Sequence, residues 1–225
     1  MSRLNELCTK LASFPGALVT LTLANVVTFW SHYRGDAQFP WDFPMSYYGF
    51  VAYWTTAVSH GVLPEWMPFQ EMGYPFFANL QTGITYPPLW FFPLSGVVYT
   101  MHAAVIFQVL HVLWGAIGAY ALGRSRFSPI AALLLGMSYH FFGGFYGNAQ
   151  HPDIVRAFAW LPWLLLSVQI LPGQTKLALR NLAIPLVVMC VVTGSYPGNV
   201  ASHLLVAGVT VLGALLGTPR PRAVL

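Results

Sequence analysis

The chain has 225 residues, of which 56% are hydrophobic and only 7% are charged. Because a soluble domain carries about 25% charged residues, this composition excludes an ordinary soluble protein and predicts an all-α, polytopic helical membrane protein. The net charge of +4 does not indicate a nucleic-acid partner, since no run of Lys and Arg is interleaved with aromatic residues.

Six apolar segments have the length that a helix needs to cross a bilayer, which is about 20 residues. The first follows a basic N-terminal tail, as in a signal peptide, but no A-x-A-like cleavage site comes after it. We therefore predict a single transmembrane domain over residues 1–225 with membrane spans at 14–30, 97–122, 129–147, 154–171, 177–193 and 200–217.

The charged residues orient these spans. With the N-terminal tail in the cytoplasm, eight of the ten basic residues fall in inner segments, namely Arg3, Lys10, Arg124, Arg126, Lys176, Arg180, Arg220 and Arg222. Only Arg34 and Arg156 lie outside, whereas all acidic residues except Glu6 lie outside. This asymmetry fits the positive-inside rule for six spans with both termini in the cytoplasm.

Residues 33–93 form a long first outer loop, and loops of this length usually carry function or secondary structure of their own. Apolar residues recur at helical spacing between positions 44 and 60, so we predict an amphipathic helix lying in the membrane interface. Its apolar face consists of Tyr47, Phe50, Val51, Trp54 and Val58. The remainder, 63–93, is rich in proline and is predicted to be mostly irregular.

The first candidate for chemistry is Asp42, in the string FPWDFP just before the predicted surface helix. We expect Pro44 at the first helical position and Phe43 at the cap, which leaves Asp42 outside the helix. A structural role near the helix dipole and a functional role are both open for this carboxylate. Asp36 follows a glycine in the loop, where an aspartate is more often a turn residue.

Two further carboxylates of the loop, Glu65 in LPEW and Glu71 in FQEMGYP, lie on the same side of the membrane as Asp42. One interpretation is that both are solvated loop charges. The other is that two or three carboxylates on one membrane face bind a divalent cation or act as a general base.

The string NAQHPDIVRAF places His151, Asp153 and Arg156 at the next outer turn. One interpretation is an ion pair between Asp153 and Arg156 at helical spacing. The alternative is that Arg156 binds a phosphate group, since a cation one turn inside a membrane helix needs a partner or an anionic ligand. Tyr196, near the last outer turn, either lines the same cavity or is an aromatic residue of the membrane interface.

Polar and small residues share one stripe of the second predicted span. They are Gln108, His111, Gly115 and Gly118. Small residues beside a polar group are typical of a close helix–helix interface, so the stripe predicts packing rather than a proton path.

A group of strings in the first two thirds of the chain carries a family resemblance. They are Asp42, GVLPEWMP at 61–68, GYP at 73–75, ANLQTG at 78–83, YPP at 86–88 and AFAWLPW at 157–163. In these residues the chain resembles the N-terminal part of YfhO-like bacterial membrane proteins of the glycosyltransferase-C type, over roughly residues 33–165.

The resemblance implies a glycosyltransferase of the bacterial inner (cell) membrane that takes a polyprenyl-phosphate-linked sugar and an acceptor at the outer face. The membrane lipid and the lipid-linked sugar donor are then its partners. Asp42 would be the catalytic base or the ligand of a divalent cation, with Asp36 as the second catalytic candidate. The candidate substrate-binding residues are Arg156, His151, Asp153, Glu71, Glu65 and Tyr196.

An alternative function is a non-catalytic membrane module, either a transporter fragment or an assembly subunit. Members of the family usually have about twice as many helices or more, so we expect the chain to be a fragment, a shortened relative or one half that needs a partner. The further partner is then a second membrane subunit or a missing C-terminal half. Helices one to three and four to six form no clear inverted repeat, and this argues against a transporter.

Overall fold

The computed structural model describes residues 10–170 and 183–216, which are predominantly helical, as predicted. Helix α1 spans Phe14–Thr28, and Ser13 caps it by accepting a hydrogen bond from the backbone N–H of Gly16. A proline occupies the first turn of α1, where a missing N–H costs little. The short helix α2, Trp30–Tyr33, continues from it.

Residues 34–100, called the loop region below, consist of short elements. A π-helix, Phe43–Tyr47, leads directly into α3, Tyr48–Ser59. The strands β1, Trp66–Met67, and β2, Tyr74–Pro75, form an antiparallel hairpin. Three 3₁₀ helices and the short helix α4 complete the region, at Phe76–Ala78, Leu80–Thr82, Pro87–Trp90 and Phe91–Ser95. The segment 63–93 is therefore more regular than predicted.

The remaining helices form the body of the protein. They are α5 Met101–Arg124, α6 Pro129–His140, α7 Gly143–Gly147, α8 Pro152–Ile170, α9 Ala183–Gly194 and α10 Pro197–Leu215. Thr100 and Ser128 cap α5 and α6 through side-chain oxygens that accept backbone N–H groups. Helix α5 packs against α1, α6 and α8, and α8 packs against α9 and α10.

The glycines of α5 allow this close packing. A Cβ atom at Gly115 would lie 3.1 Å from the Cα of Ala159, and one at Gly118 would lie 2.6 Å from Nε1 of Trp163. Both neighbours belong to α8, so the two helix axes approach closely through these positions. The packing role predicted for the two glycines is supported by these contacts.

The predicted amphipathic helix between 44 and 60 is present as the π-helix and α3. Four residues of its apolar face are buried, namely Tyr47, Phe50, Val51 and Trp54. Its predicted start was wrong by one residue: Phe43 is the first helical residue, and Asp42 occupies the cap position without making a cap hydrogen bond. Phe43 is buried edge-on against Phe39, and this packing holds it in the helix although a proline follows.

Two helical stretches among the described residues are long and apolar enough to span a membrane, Met101–Arg124 and Pro129–Gly147. Three other apolar helices are shorter, at Phe14–Thr28, Ala183–Gly194 and Pro197–Gly213. A helix lies at each of the six predicted spans, but parts of the last three predictions fall on 171–182 and 217, outside the described residues. A six-span topology thus stays a prediction.

The loop region folds over one end of the helix bundle. Buried side chains from α3 and the 3₁₀ helices join those of α8 and α9 in one apolar cluster, which includes Trp54, Phe76, Tyr86, Leu89, Trp160 and Val191. Because this cluster buries large aromatic side chains, it fixes the loop region on the bundle, and the candidate site lies at the junction.

Candidate functional site

The side chain of Arg156, in the second turn of α8, is 4% exposed. Its Nε donates a hydrogen bond to the carbonyl oxygen of Pro152 at 3.0 Å. Within residues 10–170 and 183–216, its two terminal nitrogens have no hydrogen-bond partner. These two nitrogens are not among the fully buried polar atoms, so the guanidinium can donate to a ligand or to water although the residue as a whole is buried.

Two residues of the loop region hold the guanidinium in place. The ring of Tyr86 lies beneath it, with Cζ of Arg156 5.2 Å from the ring centroid, a distance at which the cation is attracted to the ring face. Gly83 lies against its edge in a left-handed conformation with φ +67°. A Cβ atom at position 83 would lie 2.5 Å from Nη1 of Arg156, so a side chain there would require the guanidinium to move.

Hydrogen bonds fix the Tyr86 ring. Trp160 Nε1 donates to the Tyr86 hydroxyl at 2.6 Å, and this hydroxyl lies 2.7 Å from Nε2 of His111. Nδ1 of His111 lies 2.7 Å from the carbonyl oxygen of Phe107, which can only accept. Nδ1 therefore carries the proton, and Nε2 accepts from Tyr86. Burial raises the pKa of Tyr86, so its hydroxyl stays protonated and able to donate.

Asp153 anchors a second group of polar side chains beside Arg156. This carboxylate is 1% exposed; one oxygen accepts the backbone N–H of Ile154 at 2.9 Å, and the other accepts Nε2 of Gln81 at 3.2 Å. Gln81 also donates to the Tyr47 hydroxyl at 3.2 Å. Burial first, and then the charge of Asp153, raise the pKa of Tyr47, so its phenol stays neutral.

The exposed rim of the site is formed by Asp42 and His151. Nδ1 of His151 lies 3.7 Å from Oδ2 of Asp42, whose side chain is 54% exposed. The edge of the His151 ring meets the Tyr47 ring with centroids 6.0 Å apart. Tyr47 therefore connects the solvent-facing carboxylate to the buried polar groups around Asp153 and Arg156.

A small cavity lies between the π-helix, α3, α5 and the start of α8. Its volume is about 20 Å³, enough for one water-sized group, since a water molecule needs about 10–15 Å³ on this measure. The polar residues on its walls are Tyr47, Tyr48, Tyr99, Gln108, His111 and Arg156. The buried cation thus borders a space that a single oxygen atom can occupy.

Four predicted site residues lie outside this cluster. Asp36 forms an exposed ion pair with Arg34 at 3.0 Å. Glu65 and Glu71 are exposed residues of the hairpin segment, and Tyr196 is 42% exposed at the start of α10. None of the four contacts the cluster in the described part of the chain.

The structure bears on one of the two interpretations of Asp153 and Arg156, the ion pair between them. The described residues form two ion-pair contacts, Arg34–Asp36 and His151–Asp42, and Asp153 and Arg156 do not form a third. Asp153 instead uses its oxygens on uncharged donors. The cation is therefore left without a carboxylate partner, as the anion-binding interpretation requires.

The surroundings of Asp42 do not form a metal-ligand set. No group of three or more His, Cys, Asp or Glu side chains among residues 10–170 and 183–216 is placed to hold a metal ion. Asp42 has His151 beside it, and one carboxylate with one imidazole is a small set of donors for Mg²⁺ or Ca²⁺. We therefore derive no step through a divalent cation.

Several residues of the site were not predicted from the sequence to take part in function. Gln81, Gly83 and Tyr86 belong to strings that carried only the family resemblance. Gln108 and His111 were interpreted as packing residues, whereas His111 supports Tyr86. The signal that was available is the polar amide and imidazole in an otherwise apolar span, because such groups need partners in a membrane.

Comparisons of the chain with protein-family models, with curated proteins and with solved structures found no match. The chemistry of these side chains is therefore what indicates a function. The cluster combines an exposed carboxylate–imidazole pair, a buried carboxylate held by neutral donors and a buried cation with free N–H groups. Such an arrangement can remove a proton at the rim and stabilise an anion beneath it.

Proposed function

We propose that the chain is a membrane glycosyltransferase, or the N-terminal part of one, that uses a polyprenyl-phosphate-linked sugar at the outer face of the bacterial inner membrane. The observation that carries the proposal is the buried Arg156, whose terminal nitrogens lack partners within the described residues. A guanidinium of this kind suits a phosphate group, to two oxygens of which it can donate two parallel hydrogen bonds.

The membrane setting forms part of the same proposal. Six spans with both termini in the cytoplasm place the loop region and the site at the outer face, and the distribution of basic residues supports this orientation. The junction of Asp42 and Arg156 then lies near the level where the phosphate of a membrane-embedded donor meets water.

In the proposed reaction, Asp42 removes the proton of an acceptor hydroxyl at the rim. The acceptor oxygen then forms a bond to the anomeric carbon of the sugar, while the bond from that carbon to the phosphate oxygen breaks. The electron pair of the broken bond leaves with the polyprenyl phosphate. Arg156 stabilises this anion, and His151 positions the Asp42 carboxylate.

The test uses the purified chain in proteoliposomes with a panel of radiolabelled polyprenyl-phosphate sugars and a bacterial envelope extract as the acceptor. Release of polyprenyl phosphate should fall by about 10²–10⁴-fold in Asp42→Asn, the range for loss of a general base. Asp36→Asn is the matched control, because its carboxylate is equally exposed and lies in the same region. It should retain wild-type turnover.

Two results would overturn the proposal. Unchanged turnover in Asp42→Asn would exclude Asp42 as the general base. The absence of both donor binding and turnover in the wild-type chain would favour the non-catalytic alternative, a transporter fragment or assembly subunit.

A further inference from the structure

The amide of Gln108 is a buried polar group of which the nitrogen is hydrogen-bonded and the oxygen is not. The side chain is 4% exposed on α5, and its Nε2 donates to the carbonyl oxygen of Ala149 at 2.6 Å. A carbonyl oxygen needs a donor, so this contact fixes the orientation of the amide. The remaining atom, Oε1, is buried and has no hydrogen-bond partner among residues 10–170 and 183–216.

The unused acceptor of Gln108 and the unused donors of Arg156 belong to residues that border the same cavity. An unpaired buried amide oxygen is unfavourable, and an unpaired charged donor is more unfavourable. The cavity of about 20 Å³ admits one water-sized group, and an oxygen atom bearing a hydrogen is a group of this size that has both a lone pair for a guanidinium and a hydrogen for an amide oxygen.

We propose that this cavity is a subsite for one protonated oxygen of the ligand, either a P–OH group or a sugar hydroxyl, and that Gln108 selects it. The inference rests on the proposed function, because it takes the ligand to be the phosphate-bearing substrate or product of the same site. A phosphate diester oxygen can satisfy Arg156, but it offers no hydrogen to Gln108. The subsite therefore distinguishes a monoester, such as the polyprenyl phosphate product, from a diester donor.

None of the residues that line the cavity in the described part of the chain is an Asp or a Glu, so its walls do not repel an anionic ligand. Asp153 is engaged by Gln81 and by the backbone of Ile154, so it does not compete for the guanidinium. His111 has Nε2 occupied by Tyr86 and Nδ1 occupied by Phe107. Among the hydrogen-bonding groups of these residues, the Gln108 oxygen is thus the buried acceptor left to receive the ligand's hydrogen.

The experiment measures binding of two matched probes to the full chain in a detergent without hydroxyl groups, by titration calorimetry at pH 5. Dodecyl phosphate has a second pKa near 6, so at this pH it carries one negative charge and a P–OH group. Methyl dodecyl phosphate carries the same charge without the hydrogen. We expect wild type to bind the monoester about tenfold more tightly, as the loss of one buried hydrogen bond implies.

Variants separate this inference from the proposed function. Gln108→Met keeps the length of the side chain and should bind both probes equally, whereas Arg156→Gln should lose both. Dodecyl glucoside, which has hydroxyls and no phosphate, is the third probe. Binding of this probe that depends on Gln108 would assign the protonated oxygen to the sugar.

Equal binding of the two phosphates by wild type, reduced in parallel by Arg156→Gln and with no Gln108-dependent binding of dodecyl glucoside, overturns the Gln108 subsite and leaves the proposed function standing. Failure of wild type to bind any of the three probes overturns both. If Gln108→Met does not fold, the preference of wild type for the monoester alone decides the question.

Discussion

Gly83 lies so close to the Arg156 guanidinium that a Cβ atom on it would stand 2.5 Å from Nη1 and 3.2 Å from Cζ. The glycine also has φ +67°, where a side chain adds backbone strain. Two independent features thus favour glycine at this position, namely its left-handed backbone and the space that the guanidinium occupies beside it.

The first prediction is that Gly83→Ala displaces the guanidinium and weakens binding of dodecyl phosphate by about tenfold or more. Titration calorimetry checks this value. Gly143→Ala is the control, because a Cβ atom there meets no other atom within 4 Å. Wild-type affinity in Gly83→Ala would contradict the placement of Arg156.

The second prediction concerns the alkaline side of the stability profile. Burial and the charge of Asp153 raise the pKa of Tyr47 in the folded protein, whereas an unfolded tyrosine titrates near pH 10. The contribution of the Tyr47 phenol to the free energy of unfolding is therefore fully present below about pH 10. It is lost as the pH rises further, because the unfolded protein then releases the phenol proton while the folded protein still keeps it.

We expect the apparent melting temperature in detergent to fall more steeply between pH 9 and pH 11 in wild type than in Tyr47→Phe. The two proteins are compared at each pH after subtraction of their difference at pH 7. Parallel curves would show that the Tyr47 phenol does not titrate with folding.

The helix that carries part of the site could be predicted from the sequence, but the contacts between the site residues could not. The apolar spacing of residues 44–60 predicted the surface helix. The expected depth of Arg156 in a membrane helix led to the prediction that it binds an anion, which stays a prediction. The contact of Gly83 with Arg156 joins residues far apart in the chain, and no local pattern encodes it. The same holds for Asp42 and His151, which meet only because the loop region folds onto α8.

The third prediction concerns the turn of the hairpin, Gln70–Gly73. Glu71 and Met72 have φ +50° and +57°, and the N–H of Gly73 donates to the Gln70 carbonyl oxygen at 2.7 Å. This is the geometry of a type I′ turn, which favours Asn-Gly at its two central positions. Each non-glycine residue in the left-handed region costs roughly 1–2 kcal/mol.

Replacing the central pair by Asn-Gly (Glu71→Asn with Met72→Gly) should therefore raise the free energy of local opening of the hairpin by about 1–2 kcal/mol. Amide hydrogen exchange of the β1 and β2 backbone measures it. Met72→Ala removes the same exposed side chain and keeps the strained backbone, so it should leave the exchange rates unchanged. Equal protection by both variants would exclude backbone strain as the cause.

The last prediction concerns Asn25, a fully buried amide in the first helix that joins three elements. Its Oδ1 accepts the hydroxyl of Tyr33 at 2.8 Å, and its Nδ2 donates to the carbonyl oxygen of Val109 at 3.2 Å. Nδ2 also lies 3.2 Å from Nε2 of His140 at the end of α6. The amide is therefore a polar link between α1, α5 and α6.

Asn25→Leu preserves the approximate side-chain volume and removes all three contacts of the amide. The Tyr33 hydroxyl then lacks its acceptor, and Nε2 of His140 lacks its contact with Nδ2. We expect a loss of about 1–3 kcal/mol in the free energy of unfolding, measured by denaturant titration in detergent. Asn25→Leu combined with Tyr33→Phe also removes the hydroxyl that has lost its acceptor, so it should recover part of the lost free energy of unfolding. If the double variant is instead less stable by the sum of two independent losses, the hydrogen bond between Tyr33 and Asn25 is not what couples α1 to the bundle.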